Sequence, residues 1–382
     1  MKKLIAVLLV LLFAAPAMAA EWSFFGSQRV ATFYVAQDYG DFTQFPTGGE
    51  DDDWGLQWQF QGNSRVGARV KADKVSGYIE LALTAANGGD GGDGGVNTRR
   101  AYGAWKFADN MTLKVGKDYS PVTDFISGQV FDSDAGLLGQ GNFYGRRPAG
   151  LFLNIGALEL ALLNNPVSTG GLFATAPAGT STANTDPDWN LPKFEAAYTL
   201  KMDSFYLKPF AGINYFTVDQ GANAFLDDEI DILSYVVGLG GMFNIGAFRI
   251  GGQAAYGQNW ANANWYPGRS SNLGGVSYAA ATLDGDDDTN DAKSWSAMLV
   301  AGLKFSDSVN FEIGAGYRND DSDVSGVDNA EAWEAYGQAV LTLAPGVFLV
   351  PEVGYIAFMD DPIADDDRGY LWYAGAKWQI NF

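Results

Sequence analysis

The sequence contains no histidine and no cysteine, and it has few basic residues. Without histidine or cysteine the chain cannot form a Ser-His-Asp or Cys-His nucleophile, a His or Cys metal site, or a disulfide framework. The 24 Lys and Arg residues stand against 45 Asp and Glu, which gives a formal net charge of −21. Such an acidic excess argues against binding of nucleic acid through its phosphates. Composition therefore disfavours a histidine-dependent enzyme and a nucleic-acid-binding protein.

Long apolar runs are also scarce, and the clearest one lies at the N-terminus. Lys2 and Lys3 precede an apolar stretch from Leu4 to Ala15, and the small-x-small pattern Ala17-Met18-Ala19 follows it. This order is typical of a secretory signal peptide. We expect residues 1–19 to be the signal peptide and residues 20–382 to form a single barrel domain. An uncleaved N-terminal anchor is the alternative, but the apolar stretch is short for a membrane span.

Beyond this segment, apolar and polar residues alternate. In residues 54–72 the even positions carry mainly Trp, Leu, Phe, Val and Ala, while the odd positions carry mainly Gln, Asn, Arg and Lys. Soluble strands usually run about 3–10 residues, whereas a tilted strand of a membrane barrel keeps one parity for longer. Exposing Arg65 to hydrocarbon would cost about 2–4 kcal/mol. The even face is therefore predicted to contact lipid and the odd face to line the interior.

The last segment repeats this pattern. From Tyr370 to Phe382, aromatic and aliphatic residues occupy the even positions, and Lys377, Gln379 and Asn381 occupy odd ones. A strand that ends on an aromatic residue resembles the C-terminal strand of Gram-negative outer-membrane β-barrels. In those proteins the terminal Phe is read by the barrel assembly machinery. The resemblance assigns this assembly signal to Phe382.

The same pattern predicts an all-β fold, a transmembrane antiparallel up-and-down barrel of about 16 strands. The connections alternate between long and short, with eight long and seven short, as an even-stranded barrel requires when both termini lie at one end. The predicted strands are 22–37, 54–72, 75–84, 98–107, 111–118, 145–154, 158–164, 190–200, 204–217, 229–243, 246–258, 293–305, 309–319, 331–343, 347–358 and 369–382.

One long connection, the third, differs from the others in composition. Residues 119–144 contain Phe125, Ile126, Phe131 and other apolar side chains that would have nothing to pack against on a cell surface. We expect this third extracellular loop to fold into the barrel. Because a barrel of about 16 strands leaves an aqueous channel, this arrangement predicts a pore that the loop narrows.

Residues 98–121, TRRAYGAWKFADNMTLKVGKDYSP, resemble a signature of the Gram-negative trimeric porins. That signature has an Arg-bearing strand, a Phe-containing turn and a Leu-x-Val-Gly-basic strand before the inward loop. The resemblance implies a homotrimer, and a constriction between the acids of the third loop and the bases of the opposite wall. The acids carried over are Asp118, Asp124, Asp132 and Asp134. The bases carried over are Arg65, Arg69, Arg100, Lys114, Arg146 and Arg147. The third loop lacks the Pro-Glu-Phe-Gly-Gly tip of well-studied members.

The sequence leaves two details of the basic wall open. Because Arg146 and Arg147 are adjacent, one of them faces the lumen if the strand has already begun, and Arg147 is favoured. Arg65 and Arg69 are either selective residues or solvated residues of a wet wall.

The other outer connections carry acidic runs, for example at 50–53, 286–288, 320–321 and 365–367. They are either a solvated surface or carboxylates that bridge Ca²⁺ or Mg²⁺ to lipopolysaccharide phosphates. GGDGGDGG at 88–95 has too few repeats for a calcium site, and residues 284–291 lack the Gly and Glu of an EF-hand loop. We predict no specific metal site and no cofactor.

These features together predict an outer-membrane porin, not an enzyme, through which small hydrophilic solutes, including anions, diffuse passively. Its expected surroundings are outer-membrane lipid and lipopolysaccharide. Two alternatives remain: a substrate-selective channel, and a structural or adhesive surface barrel with a closed lumen.

Overall fold

The computed structural model describes residues 20–38, 53–84, 95–164, 186–189, 191–219, 229–265, 278–284, 288–363 and 365–382. The predicted signal peptide, residues 1–19, therefore lies outside the described residues, as do most of the acidic runs at 50–53 and 286–288. Among the described residues, no helix is long and apolar enough to cross a membrane.

Sixteen antiparallel strands form one closed barrel, as the alternation of the sequence predicts. The first eight are β1 (Glu21–Asp38), β2 (Asp53–Phe60 with Arg65–Ala72), β3 (Val75–Thr84), β4 (Gly95–Ala108), β5 (Met111–Lys117), β6 (Ala149–Ile155), β7 (Leu158–Leu163) and β8 (Asp186–Asp188, Lys193–Tyr198 and Leu200–Lys201). The second eight are β9 (Phe205–Asp219), β10 (Ile230–Ile245), β11 (Phe248–Gln258), β12 (Ala292–Lys304), β13 (Val309–Ser322), β14 (Ala330–Ala344), β15 (Val347–Phe358) and β16 (Tyr370–Asn381).

The barrel closes where the two ends of the chain meet. β1 pairs with β2 on one side and with β16 on the other. The Gly26 amide donates to the Phe382 carbonyl at 2.7 Å, and the Phe382 amide donates back to the Gly26 carbonyl at 3.1 Å. The terminal residue thus completes the hydrogen-bond ladder, so the wall has no open edge in this region.

The wall has the predicted inside and outside faces. Trp54 and Trp58, at even positions of β2, are 70% and 67% exposed on the outer face. Lys193 and Glu195, at odd positions of β8, are buried within the barrel. A polar interior and an apolar exterior are what a barrel in lipid requires.

β2 is interrupted between Phe60 and Arg65, within the long predicted strand 54–72. Val30 of β1 pairs with Phe60, whereas Ser27 pairs with Arg65, so the register moves by two residues across the break. Because a shift of two preserves the side-chain parity, the even face stays outside on both halves of β2.

The connections alternate in length as predicted, with short turns at the end where β1 begins and β16 ends. The sixth predicted strand begins at Ala149 and not at 145, so Arg146 and Arg147 belong to the third loop. β13 extends to Ser322, so Asp320 and Asp321 belong to the wall. Asp320 is fully buried and forms a salt bridge with Arg318 at 2.9 Å, which differs from the predicted acidic outer loop.

Candidate functional site

The third loop (residues 118–148) contacts side chains that point into the barrel from several walls. Phe131 stacks on Tyr373 of β16 with ring centroids 3.8 Å apart, and its edge meets Phe33 of β1. Ile126 and Leu137 pack with Met298 in a second buried cluster. The apolar side chains of this loop thus pack on the inner face of the barrel wall.

Buried glutamates of three neighbouring strands accept hydrogen bonds from this loop, two of them from its backbone. Glu352 of β15 accepts hydrogen bonds from the Val130 amide at 2.7 Å and the Phe131 amide at 2.8 Å. Glu312 of β13 accepts one from the Gly128 amide at 2.7 Å, and Glu334 of β14 accepts one from the Gln129 side chain. The Val130 and Phe131 amides, which would otherwise be buried without a partner, are satisfied in this way.

The tip of the loop is a tight turn in which Asp132, Ser133 and Asp134 have φ values of 51°, 63° and 60°. This left-handed conformation costs about 1–2 kcal/mol for each non-glycine residue, so other contacts must stabilise it. Asn63 lies in the break in β2, and its side-chain amide donates a hydrogen bond of 2.6 Å to the Ser133 carbonyl. The break in the strand therefore provides a donor for the loop tip.

Asp134 forms salt bridges with Arg29 of β1 and, at 2.9 Å, with Lys377 of β16. Neither base is among the predicted site residues, although both stand at odd positions of strands whose odd face points inward. Their odd positions could have identified Arg29 and Lys377 from the sequence as residues of the interior. Asp134 therefore faces basic residues, but not those that the resemblance suggested.

A β-bulge in β4 brings two adjacent arginines to the inner face. Glu80 of β3 pairs with Arg100, and Leu81 pairs with Thr98, so Arg99 is the extra residue. The Arg99 side chain donates to Glu80 at 2.8 Å and to the Tyr119 hydroxyl at 3.0 Å. Strict alternation would place Arg99 on the outer face, and the resemblance named Arg100 but not Arg99.

Arg100, Lys114 and Asp118 form one ionic cluster at the start of the third loop. The Arg100 Nε lies 2.6 Å from one Asp118 oxygen, and the Lys114 ammonium binds the other oxygen. Burial opposes ionisation of this carboxyl, but the two cations outweigh it and hold the pKa of Asp118 below its usual range. Three predicted residues thus lie together, paired with one another and not across the lumen.

Asp124 lies on a different side of the barrel. Its carboxylate accepts a hydrogen bond of 3.2 Å from the Tyr206 hydroxyl of β9. Burial raises its pKa, against the opposing effects of Lys208 and of the Tyr206 hydrogen bond. The structure therefore brings Asp124 to Tyr206 and Lys208 and not to the predicted basic wall.

Arg147 faces a cavity between the third loop and the basic wall, whereas Arg146 is exposed and has a φ of 64°. The cavity has a volume of about 220 Å³. Arg99 of β4 and Arg147 of the third loop line it, and its acidic lining residues are Asp132, Asp134 and Glu334. The two members of the adjacent pair thus point to different surroundings.

Arg65 and Arg69 lie on the same strand but have different neighbours. Arg65 approaches Glu80 at 3.5 Å. Arg69 lies near the short-turn end, where it lines a larger cavity of about 820 Å³ together with Arg100 and Lys106. Of the six predicted bases, Arg69 and Arg100 therefore line one cavity, Arg147 lines the other, and the remaining three line neither.

A second loop also packs inside the barrel, which the sequence did not predict. In the sixth loop (residues 259–291), Trp260 and Trp265 are fully buried and contact Phe143 of the third loop. The Trp265 indole donates to Glu195 at 2.9 Å, and the Val122 amide donates to the same carboxylate at 3.4 Å. Glu195 thus links the two loops to one wall.

Several solved structures of outer-membrane proteins share this fold. The outer membrane channel DcaP of Acinetobacter baumannii is 14% identical with a TM-score of 0.68, and the match covers 95% of this chain and 98% of that one. An anion-selective porin from Comamonas acidovorans is 13% identical with a TM-score of 0.59, covering 95% and 100%. The trimer form of OmpT of Vibrio cholerae is 13% identical with a TM-score of 0.53, covering 94% and 99%.

The structural similarity over nearly the whole chain shows that it has the fold of these outer-membrane proteins. The sequence matches no protein-family model and no curated protein. Within the described part of the chain, no group of three or more Asp, Glu, His or Cys side chains could hold a metal ion.

Proposed function

We propose that the protein is a passive diffusion channel of the bacterial outer membrane, through which small hydrophilic solutes pass. The observation that carries this proposal is the cavity that Arg99 and Arg147 line together with Asp132 and Asp134. A strong transverse field in a narrow aqueous passage orders water and selects solutes by size and charge. In this proposal the third loop forms the constriction.

The proposed selectivity is a weak preference for anions. Arg99 and Arg147 line the passage, and Asp134, one of its three lining acids, is already bound to Arg29 and Lys377. A fold neighbour from Comamonas acidovorans is named for anion selectivity. We infer that the field of Arg99 and Arg147 outweighs the acidic net charge of the whole chain, because the narrowest section has the strongest field.

The remaining parts of the proposal concern assembly. We infer a homotrimer, as in the trimer form of OmpT. We also infer export through a signal peptide cleaved after Ala19, and insertion by the barrel assembly machinery, which would read Phe382. Lipid and lipopolysaccharide would surround the outer face.

Reversal potentials in planar bilayers under a salt gradient test the proposed selectivity. The expected result is an open channel whose reversal potential has the sign that indicates a higher permeability for anions than for cations. A cation preference would contradict the selectivity, and the lack of any conductance would contradict the channel.

A substrate-selective channel is the second candidate, and the buried sixth loop favours it. Trp260, Trp265 and Phe143 form an apolar cluster inside the barrel and leave less space for a general pore. Liposome swelling separates the candidates. Uptake of many small sugars supports general diffusion, uptake of few solutes supports selectivity, and no uptake supports a structural barrel.

A further inference from the structure

Three arginines and four aromatic rings alternate along the inner wall. Each arginine lies over two rings of this series, and each inner ring is shared by two arginines; Arg100 also lies over Tyr102 at 5.7 Å. From the third loop to the short-turn end, the order is Tyr144, Arg147, Tyr119, Arg100, Tyr78, Arg69 and Phe25. The distances from guanidinium carbon to ring centroid along this series are 5.9, 5.3, 5.2, 4.5, 5.4 and 4.9 Å. All lie within the range of cation–π contacts.

The series connects the two cavities. Arg147 and Tyr119 line the cavity beside the third loop, and Arg69 and Tyr78 line the one at the short-turn end. It also depends on one close backbone approach, since a Cβ on Gly67 would lie 2.3 Å from the Phe25 ring. We call this series the arginine–aromatic ladder.

At the short-turn end of the ladder, the charges are balanced differently from those nearer the third loop. Arg100 is paired with Asp118, whereas within the described residues Arg69 has no salt bridge with a carboxylate. A ring holds a guanidinium in place without neutralising it. Lys71, Lys74 and Lys106 also line this cavity, against the two acids Glu21 and Asp73. The cavity therefore has an excess of positive charge that the protein does not balance locally.

We propose that the cavity at the short-turn end is a binding site for aromatic carboxylates, with Arg69 as its central cation. A carboxylate pairs with a guanidinium through two parallel hydrogen bonds, and a flat ring packs edge to face against aromatic side chains. Tyr78 and Tyr102 line the same cavity, and because their faces already meet Arg69, Arg100 and each other, a ligand ring would contact them at their edges. A volume of about 820 Å³ is ample for such a ligand. The site would retain anions that have passed the narrower cavity, and in this respect it builds on the proposed function.

Binding of benzoate to the full-length protein in a non-ionic detergent tests the site without requiring conduction. Ligand-observed NMR would give the dissociation constants of benzoate, cyclohexanecarboxylate and acetate. We expect benzoate to bind more tightly than both. Equal binding of all three would show simple charge attraction and would overturn the aromatic assignment.

Arg69→Gln is expected to weaken benzoate binding about fivefold, which corresponds to about 1 kcal/mol. The matched control is Lys304→Gln, because Lys304 is also a cation near the short-turn end but pairs with Asp307 outside this cavity. Unchanged binding in Arg69→Gln, or equal loss in both variants, would overturn the proposal. Heat-modifiable mobility in gels confirms that each variant folds.

The same preparations separate this inference from the proposed function. If benzoate binds as expected but bilayers show no conductance, the proposed channel function is contradicted and the proposed binding site stands. If the wild type conducts but benzoate binding does not depend on Arg69, the channel stands and the site is wrong.

Discussion

Arg146 and Arg147 are chemically identical neighbours with different surroundings. Arg147 lies over the Tyr119 ring and lines the cavity beside the third loop, while Arg146 is exposed. We expect Arg147→Gln to shift the reversal potential towards cations, because it removes a positive charge from the passage. Arg146→Gln is the matched control, because it removes an equal charge that lines neither cavity, and it should shift the reversal potential less. Equal shifts would mean that the selectivity arises from the general field of the barrel mouth.

Asp124 provides a pH-dependent charge in the third loop. Burial raises its pKa, so the folded protein takes up this proton at a higher pH than the unfolded chain does. As the pH falls through this raised value, above the usual value of about 4, the loop loses a negative charge and the folded state gains stability. Anion preference should therefore increase over that range.

The variant Asp124→Asn removes this titration. Reversal potentials measured across the pH range should show the corresponding step in the wild type and lack it in the variant. An identical profile in both would show that Asp124 does not act on the permeating ions.

At the scale of the element, the third loop depends on Glu352 of β15. Replacement by Ala leaves the Val130 and Phe131 amides without their acceptor, and each unsatisfied buried donor costs about 1–3 kcal/mol. We expect Glu352→Ala to lower the stability of the barrel by several kcal/mol in urea unfolding and to increase the noise of the open channel. Glu352→Gln, which keeps one carbonyl oxygen, should have a smaller effect.

Asp307→Ala is the control for this prediction. Asp307 is also a carboxylate in an ion pair, with Lys304, but its side chain is 99% exposed in a turn. It should change neither stability nor noise. Quiet channels in Glu352→Ala would show that the other contacts suffice to hold the loop.

The strands of the wall could be predicted from the sequence because each strand separates lipid from water. Apolar and polar residues therefore alternate along it. Parity survives even across the break in β2, since the register there moves by two residues. Arg99 could not be predicted, because a bulge changes the parity locally and leaves no mark in composition. The partners of Asp134 required knowing where the loop tip meets the wall, which depends on contacts between residues more than 100 positions apart.

At the scale of the whole molecule, two loops share one apolar cluster inside the barrel. Phe143 of the third loop packs against Trp260 and Trp265 of the sixth loop, and Glu195 hydrogen-bonds both loops. The sequence marked the third loop by its apolar residues in a long connection. The sixth loop was missed because its tryptophans stand among small and polar residues. Since this cluster fills part of the interior, we infer that solutes pass along the basic wall opposite it.

Replacing Trp265 tests whether this apolar cluster limits the space that is open to solutes. Trp265→Ala should lower the free energy of unfolding by about 3–5 kcal/mol, because it leaves a cavity in a buried cluster and removes the indole donor from Glu195. It should also raise the single-channel conductance by opening space beside the third loop. Trp295→Ala is the matched control, since Trp295 is 43% exposed on the outer face of β12. Lower stability with unchanged conductance would show that the cluster supports the wall without limiting the passage.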